Sequence, residues 1–179
     1  MIESTDTASA QDAALPSVYL DTVIPSRLTG RPSRDLRTLR DQRITCLWWH
    51  GHRSRVNAFV SDLVITEAKN GNPEAAQRRI DAISSLPFLE VTAEAIELAT
   101  RILREARLPA SASTDAKHIA TAAFHEMDFL LTWNCKHLAN PSIFPHVRRT
   151  CERAGLRSPE ICTPEEIIRR FKSGNRSIH

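Results

Sequence analysis

Cysteine is scarce and scattered in this chain: four in 179 residues, at positions 46, 135, 151 and 162, with no C-x-x-C pair. That spacing excludes the usual zinc frameworks and reads as reduced thiols in a cytoplasmic protein. The nearest approach to a soft-ligand cluster, Cys46 with His50 and His52, reads as an ordinary helix end. Glycine is held to five residues and tyrosine to one, against 41% hydrophobic and 25% charged residues, which sets aside collagenous, disordered and disulfide-rich classes. No apolar run approaches the roughly 20 residues that a membrane-spanning helix needs. The N-terminal MIESTDTASAQDAA carries acids where a secretory or transit peptide would have a basic region followed by an apolar stretch. There is no internal repeat and no domain linker, and the length suits a single core.

What is present begins with an uneven charge. Eight arginines between Arg27 and Arg55 face only Asp35 and Asp41, a local excess of six positive charges in a chain whose net charge is +3, so the remainder is net negative. The stretch has arginine and no lysine. Guanidinium forks grip phosphate or carboxylate in two-point fashion, so Arg27, Arg31, Arg34, Arg37 and Arg40 are candidate nucleic-acid contacts, the alternative being a solvated helix face.

Short apolar runs alternate with amphipathic segments. VYLD (18–21), NAFVSD (57–62), FLEVT (88–92), FLLTW (129–133) and a weaker SPEIC (158–162) read as strands. Between them lie helical patterns: 35–52 with Leu36, Leu39, Leu47 and Trp48 as its apolar positions; 63–71 closed by Gly71; 73–86 begun by Pro73; 93–108 with Ile96, Ala99, Leu103 and Ala106 on one side; and 115–126, capped from within Ser111–Thr114. A mixed helix near 142–155 and PEEIIRRFK follow. Such alternation predicts an α/β/α sandwich around a parallel sheet of four to five strands, in one domain over residues 17–165, with a loose leader (1–16) and a basic tail (166–179).

In parallel sheets, ligands gather at the carboxyl ends of the strands. Asp21 ends the first strand, Asn134 the fourth; Glu67 lies in the helix after the second and Asp115 opens the helix that feeds the fourth. Singly, each acid has a plain explanation in helix dipoles and turns. Together, Asp21, Glu67 and Asp115 predict a carboxylate pocket that needs a cation. Oxygen donors favour Mg2+ or Mn2+, and the chemistry of such a site is phosphodiester hydrolysis.

The residues V-Y-L-D-T (18–22), S-x5-E (61–67), D-A-K-H-I-A-T-A (115–122) and L-L-T-W-N-C-K-H-L-A-N (130–140) resemble those of PIN-domain proteins, specifically VapC-like toxins of bacterial type II toxin–antitoxin pairs. The resemblance runs from about residue 17 to 147 as short motifs in order. It implies a PIN-like domain acting as a metal-dependent ribonuclease, with Asp21, Glu67 and Asp115 at three acidic metal positions. The fourth acid of the pattern L-x-T-x-D falls on Asn134, which keeps an oxygen but loses a charge. Thr22 and Thr132 are placed to orient the carboxylates. Asp128, just ahead of the fourth strand, belongs at the opposite sheet edge. RNA is the implied substrate, a cognate antitoxin and a second copy of the chain the implied protein partners, with one of Trp48 and Trp49 in the core and the other open to an interface. His118 and His137 are candidate proton carriers. Two other readings share these residues: an RNA- or protein-binding module that lost catalysis with its fourth acid, and a nuclease directed at DNA.

Overall fold

The structure, a computed structural model, describes residues 15–134, 138 and 140–174. Strands β1 (Ser17–Leu20), β2 (Asn57–Ser61), β3 (Phe88–Leu89), β4 (Phe129–Leu131) and β5 (Glu160–Cys162) form one sheet in the order β3-β2-β1-β4-β5. Every pairing is parallel; Tyr19 of β1 sits between Phe59 of β2 and Leu130 of β4. β1 is central and covered on both faces, so Val18, Tyr19 and Leu20 are fully buried, as are Leu130 and Leu131 beside them. Burial of each such aliphatic side chain contributes about 1.5–3 kcal/mol.

Connecting these strands are α1 (Val23–Thr29), α2 (Leu36–Gly51), α3 (Asp62–Ala68), α4 (Pro73–Ile83), α5 (Ala93–Glu105), α6 (Ser113–Phe124), α7 (Phe144–Arg153) and α8 (Pro164–Gly174). α1 packs on α2 and α4, and α2 on α8; α5 packs on α6 and α7. These two groups of helices give the expected α/β/α layering. The chain runs from β1 outward through β2 to β3, then crosses to β4 on the other side of β1. The order therefore reverses beside β1, where a crevice opens at the carboxyl ends of the strands.

Several local expectations shift. The helix at 36–51 forms, begun by Asp35, whose carboxylate accepts from Thr38 N at 2.8 Å. It turns a different face inward than its leucines suggest. Leu36 and Leu47, eleven residues and so about three turns apart, share one face, and that face is outside: they are 79% and 56% exposed. The buried side carries Gln42, Thr45 and Trp48, because the surrounding backbone needs hydrogen bonds there: Gln42 accepts from Ser33 N and donates to Arg31 O. Trp48 is wholly buried and Trp49 half-buried against the core.

α5 is likewise rotated, burying Ala95, Leu98, Ala99 and Ile102 and leaving Ile96 exposed. α6 is entered through a 3-10 turn at Ala110–Ala112, with Ala112 at the cap and no capping side chain from Ser111–Thr114. β3 is two residues rather than five, and β4 stops at Leu131. α1 was not expected from the sequence; Pro25 lies in its first turn, and Thr22 stands at its cap without capping it.

Ile167 and Ile168 of α8 are in the core, so the tail expected from residue 166 begins as a packed helix. Residues 1–14 of the expected leader and 175–179 of the expected tail lie outside the described residues, as do Cys135 and His137. No helix among the described residues is long and apolar enough to cross a membrane.

Candidate functional site

The crevice beside β1 is lined by Asp21, Thr22, Val23, Arg27, Glu67, Asp115, His118, Trp133 and Asn134. Three consequences of the fold bring them together. Asp21 follows β1 directly and is tied to the neighbouring strand by its N–H, which donates to Leu131 O at 3.1 Å. Glu67 comes from α3, which Ser61 starts at the end of β2 with its hydroxyl accepting from Val64 N. Asp115 and His118 lie three apart on α6 and so share a face.

Asp21 is 5% exposed, and its Oδ2 accepts the Thr132 hydroxyl at 2.6 Å. Glu67 Oε2 accepts the Thr22 hydroxyl at 2.5 Å. That bond explains why Thr22 fails to cap α1: its hydroxyl is committed to the carboxylate. Thr132 also accepts from Asn134 N at 2.9 Å, fixing the turn after β4. Asn134 Nδ2 donates to Asp115 Oδ1 at 2.9 Å. An amide facing a carboxylate must present its nitrogen, so in this arrangement Asn134 holds Asp115 through Nδ2.

His118 is the residue that the sequence undervalued. It is 1% exposed, and Nε2 lies 2.9 Å from Glu67 Oε2 and 3.6 Å from Asp21 Oδ1. Its Nδ1 lies 2.8 Å from the Tyr19 hydroxyl, which in turn meets Ser61 Oγ at 2.7 Å. One polar thread thus runs Ser61–Tyr19–His118–Glu67–Thr22 through the interior. Burial disfavours the His118 cation, but the Glu67 hydrogen bond and the charges of Asp21, Glu67 and Asp115 outweigh it and raise its pKa. Burial likewise disfavours the Glu67 anion, and the hydrogen bonds from His118 and Thr22 overcome it, so the carboxyl is held below its ordinary value.

Donor atoms of Asp21, Glu67 and His118 all lie within 4.8 Å of one another, a spacing that could hold a metal ion. Cys46, His50 and His52 form no such group. Neither Asp21 nor Glu67 is paired to an arginine or lysine among the described residues; the ion contacts they make are to His118. A carboxylate pair without an arginine or lysine among the described residues, Asp21 buried and Glu67 half-buried, with two threonine hydroxyls orienting it and a further acid alongside, suits a divalent ion in chemistry and in spacing.

Of the arginines, Arg27 lines the crevice, and its Nε is buried with no hydrogen-bond partner among the described residues. Arg31, Arg34 and Arg37 are exposed, and Arg40 is engaged by Glu165 and Asp41. Trp133 reaches the crevice wall with its indole N–H donated to Thr45 Oγ1 at 2.8 Å, which is why Thr45 faces inward on α2. Asp128 is at the opposite sheet edge, as expected, accepting from the N–H and hydroxyl of Ser17 and from Arg157.

The fold and site define a parallel α/β protein with an acidic, imidazole-containing pocket at its strand switch point. No family model and no curated protein matches the chain. Solved structures do. A chain of VapBC2 from Rickettsia felis, crystallised bound to a DNA fragment from its promoter, is similar at 15% identity with a TM-score of 0.51, over 82% of this chain and 98% of that one. A chain of a toxin–antitoxin complex from Klebsiella pneumoniae is similar at 20% identity with a TM-score of 0.50, over 82% of this chain and 97% of that one. At these identities the likeness establishes the fold, and at that level it agrees with the PIN-like, VapC-like resemblance carried by the motifs.

Proposed function

We propose that the chain is a divalent-metal-dependent endoribonuclease and the toxin of a toxin–antitoxin pair. The observation that carries this reading is the convergence of Asp21, Glu67 and Asp115 in one crevice without an arginine or lysine bound to Asp21 or Glu67 among the described residues. The fold likeness to chains of toxin–antitoxin complexes supports it. Asp21, Glu67 and Asp115 would hold Mg2+ or Mn2+, which when bound lowers the pKa of water and offsets charge building on a phosphoryl group.

The chain's own residues supply the rest. Thr132 and Thr22 fix the rotation of the two carboxylates, Asn134 steers Asp115, and Arg27 stands in the crevice with a guanidinium N–H to offer a phosphate oxygen. Arg31, Arg34 and Arg37, exposed nearby in sequence, extend that contact along an RNA backbone without reading its sequence. A cognate antitoxin and a second copy of the chain are the protein partners of this reading, and the cytoplasm its setting.

Asp21→Asn is expected to fold normally and to lose cleavage of RNA; full activity in that variant, or cleavage in excess EDTA, contradicts the mechanism. A second reading, an RNA- or protein-binding module without catalysis, draws on the hydrogen bond of Asn134 to Asp115 where a fourth acid would stand. Asn134→Asp separates the two: an inert parent that gains activity supports the binding module, and a parent active at millimolar Mg2+ excludes it. Parallel digestion of single-stranded RNA, tRNA and DNA distinguishes the polymer cut.

A further inference from the structure

We propose that His118 is itself a ligand of the divalent cation through Nε2, completing a mixed nitrogen–oxygen set with Asp21 and Glu67 that selects Mn2+ over Mg2+. The proposal rests on the metal site of the preceding section and adds a donor to it. Three observations carry it. First, the imidazole cannot turn away: it is 1% exposed, and its Nδ1 is engaged by the Tyr19 hydroxyl at 2.8 Å, with Tyr19 anchored in the central strand and bonded to Ser61. Histidine ligands are commonly held by their second nitrogen in this way, which fixes the ring and leaves the other lone pair for the ion.

Second, Nε2 is aimed between the carboxylates, 2.9 Å from Glu67 Oε2 and 3.6 Å from Asp21 Oδ1. Neighbouring ligands in octahedral coordination with bonds of about 2.1 Å stand about 3 Å apart. A separation of 2.9 Å serves equally as an N–H···O hydrogen bond and as that ligand edge, so the three donors need little rearrangement to share an ion. Third, the two carboxylates are oriented by hydroxyls: Thr132 bonds Asp21 Oδ2 and leaves Oδ1 as the oxygen nearer the imidazole, while Thr22 holds Glu67 by Oε2, the same oxygen that the imidazole meets. An imidazole nitrogen favours first-row transition ions, whereas Mg2+ prefers oxygen alone and keeps its waters. Tyr19 is then a positioning residue that acts through His118.

The test uses the full chain loaded with Mn2+ and read by pulsed electron paramagnetic resonance, with Mn2+ and Mg2+ affinities measured by calorimetry. The expected result is a 14N modulation from a directly bound imidazole, changed to the 15N pattern when the protein is produced with 15N-histidine. In His118→Gln the modulation is lost, Mn2+ affinity falls about 10- to 100-fold and Mg2+ affinity much less. Tyr19→Phe keeps the modulation and weakens Mn2+ by about tenfold or more. Mn2+ bound without 14N modulation in the unmodified chain overturns the proposal while leaving the carboxylate site intact, and needs no variant to fold. A modulation that survives in folded His118→Gln overturns it too. No Mn2+ binding at millimolar concentration overturns both this inference and the metal-dependent activity.

Discussion

Tyr19→Phe removes one oxygen from the centre of the molecule. Its effect can be worked out because nothing else in the surroundings changes. The phenyl ring keeps the packing of β1 between β2 and β4, and no large cavity is created. The hydroxyl serves two wholly buried neighbours, Ser61 Oγ at 2.7 Å and His118 Nδ1 at 2.8 Å. Burial holds the phenol above its ordinary pKa, so it is a neutral hydrogen-bonding group through any practical range of pH. Without it, His118 Nδ1 loses the partner it has, at about 1–3 kcal/mol for a buried polar group left unsatisfied. Among the described residues Ser61 keeps its long contact with Val64 N, 3.5 Å, and its loss of Tyr19 adds up to about 1 kcal/mol. A loss of about 2–3 kcal/mol follows, which for a chain of this length is a Tm lower by about 5–10 °C. Urea unfolding at neutral pH measures it, with an unchanged m-value confirming that the native state is otherwise the same. Ser61→Ala in the Tyr19→Phe background should cost clearly less than in the parent, because the two share one thread. A Tyr19→Phe variant within about 0.5 kcal/mol of the parent would mean that the thread does not bind β1, β2 and α6 together, and the placement of His118 would lose its foundation.

Other perturbations test other parts of the fold. Trp48→Ala should destabilise by about 3–5 kcal/mol through a core cavity, whereas Leu47→Ala, at a position 56% exposed, should cost below about 1 kcal/mol; the reverse order in denaturant titrations would put the wrong face of α2 inside. Asp128 is held below its ordinary value of 3.8 because hydrogen bonds from Arg157 and Ser17 outweigh its partial burial. A carboxyl lowered on folding stabilises above its unfolded pKa, and that contribution is lost as pH falls through the folded value. The parent should therefore lose up to about 1 kcal/mol below about pH 4 that Asp128→Asn never had, a modest figure because the pair is partly solvated; parallel acid titrations of stability that do not converge would contradict it. Burial pushes the thiols of Cys151 and Cys162 up to about 11 and about 12. Iodoacetamide at pH 8 should leave both unmodified in the native protein and alkylate them after unfolding, as peptide mapping by mass spectrometry would show.

The sheet was legible in the sequence because each strand is short, apolar and bounded, and because strand and helix patterns alternate without interruption. Helix faces were harder to read. α2 presents leucines to solvent and buries Gln42 and Thr45, since what decides its rotation is the hydrogen bonding of Ser33, Arg31 and Trp133, contacts made across the fold. α1 was hidden for a related reason: the residue at its cap spends its hydroxyl on Glu67, so the usual signal of a helix start does a different task.

The site shows the same division between local and long-range information. Acids at strand ends can be found from the pattern, and Asp21, Glu67, Thr22 and Thr132 stand together as that pattern requires. His118 carries no such signal, for on α6 it is one more residue of a helix buried on nearly every side. Its weight comes from Tyr19, 99 residues earlier, and Glu67, 51 residues earlier. A tyrosine in the middle of a covered strand is the clue that was available: its hydroxyl cannot be left dry. The sole tyrosine of the chain, placed at the centre of β1, therefore requires a polar partner from a neighbouring element. Among the described residues, the hydroxyl meets Ser61 of β2 and His118 of α6. A histidine recruited in that way, pinned on one nitrogen by the core, has its other nitrogen delivered to the acids at the carboxyl ends of the strands, hydrogen-bonded to Glu67 at 2.9 Å with Asp21 at 3.6 Å.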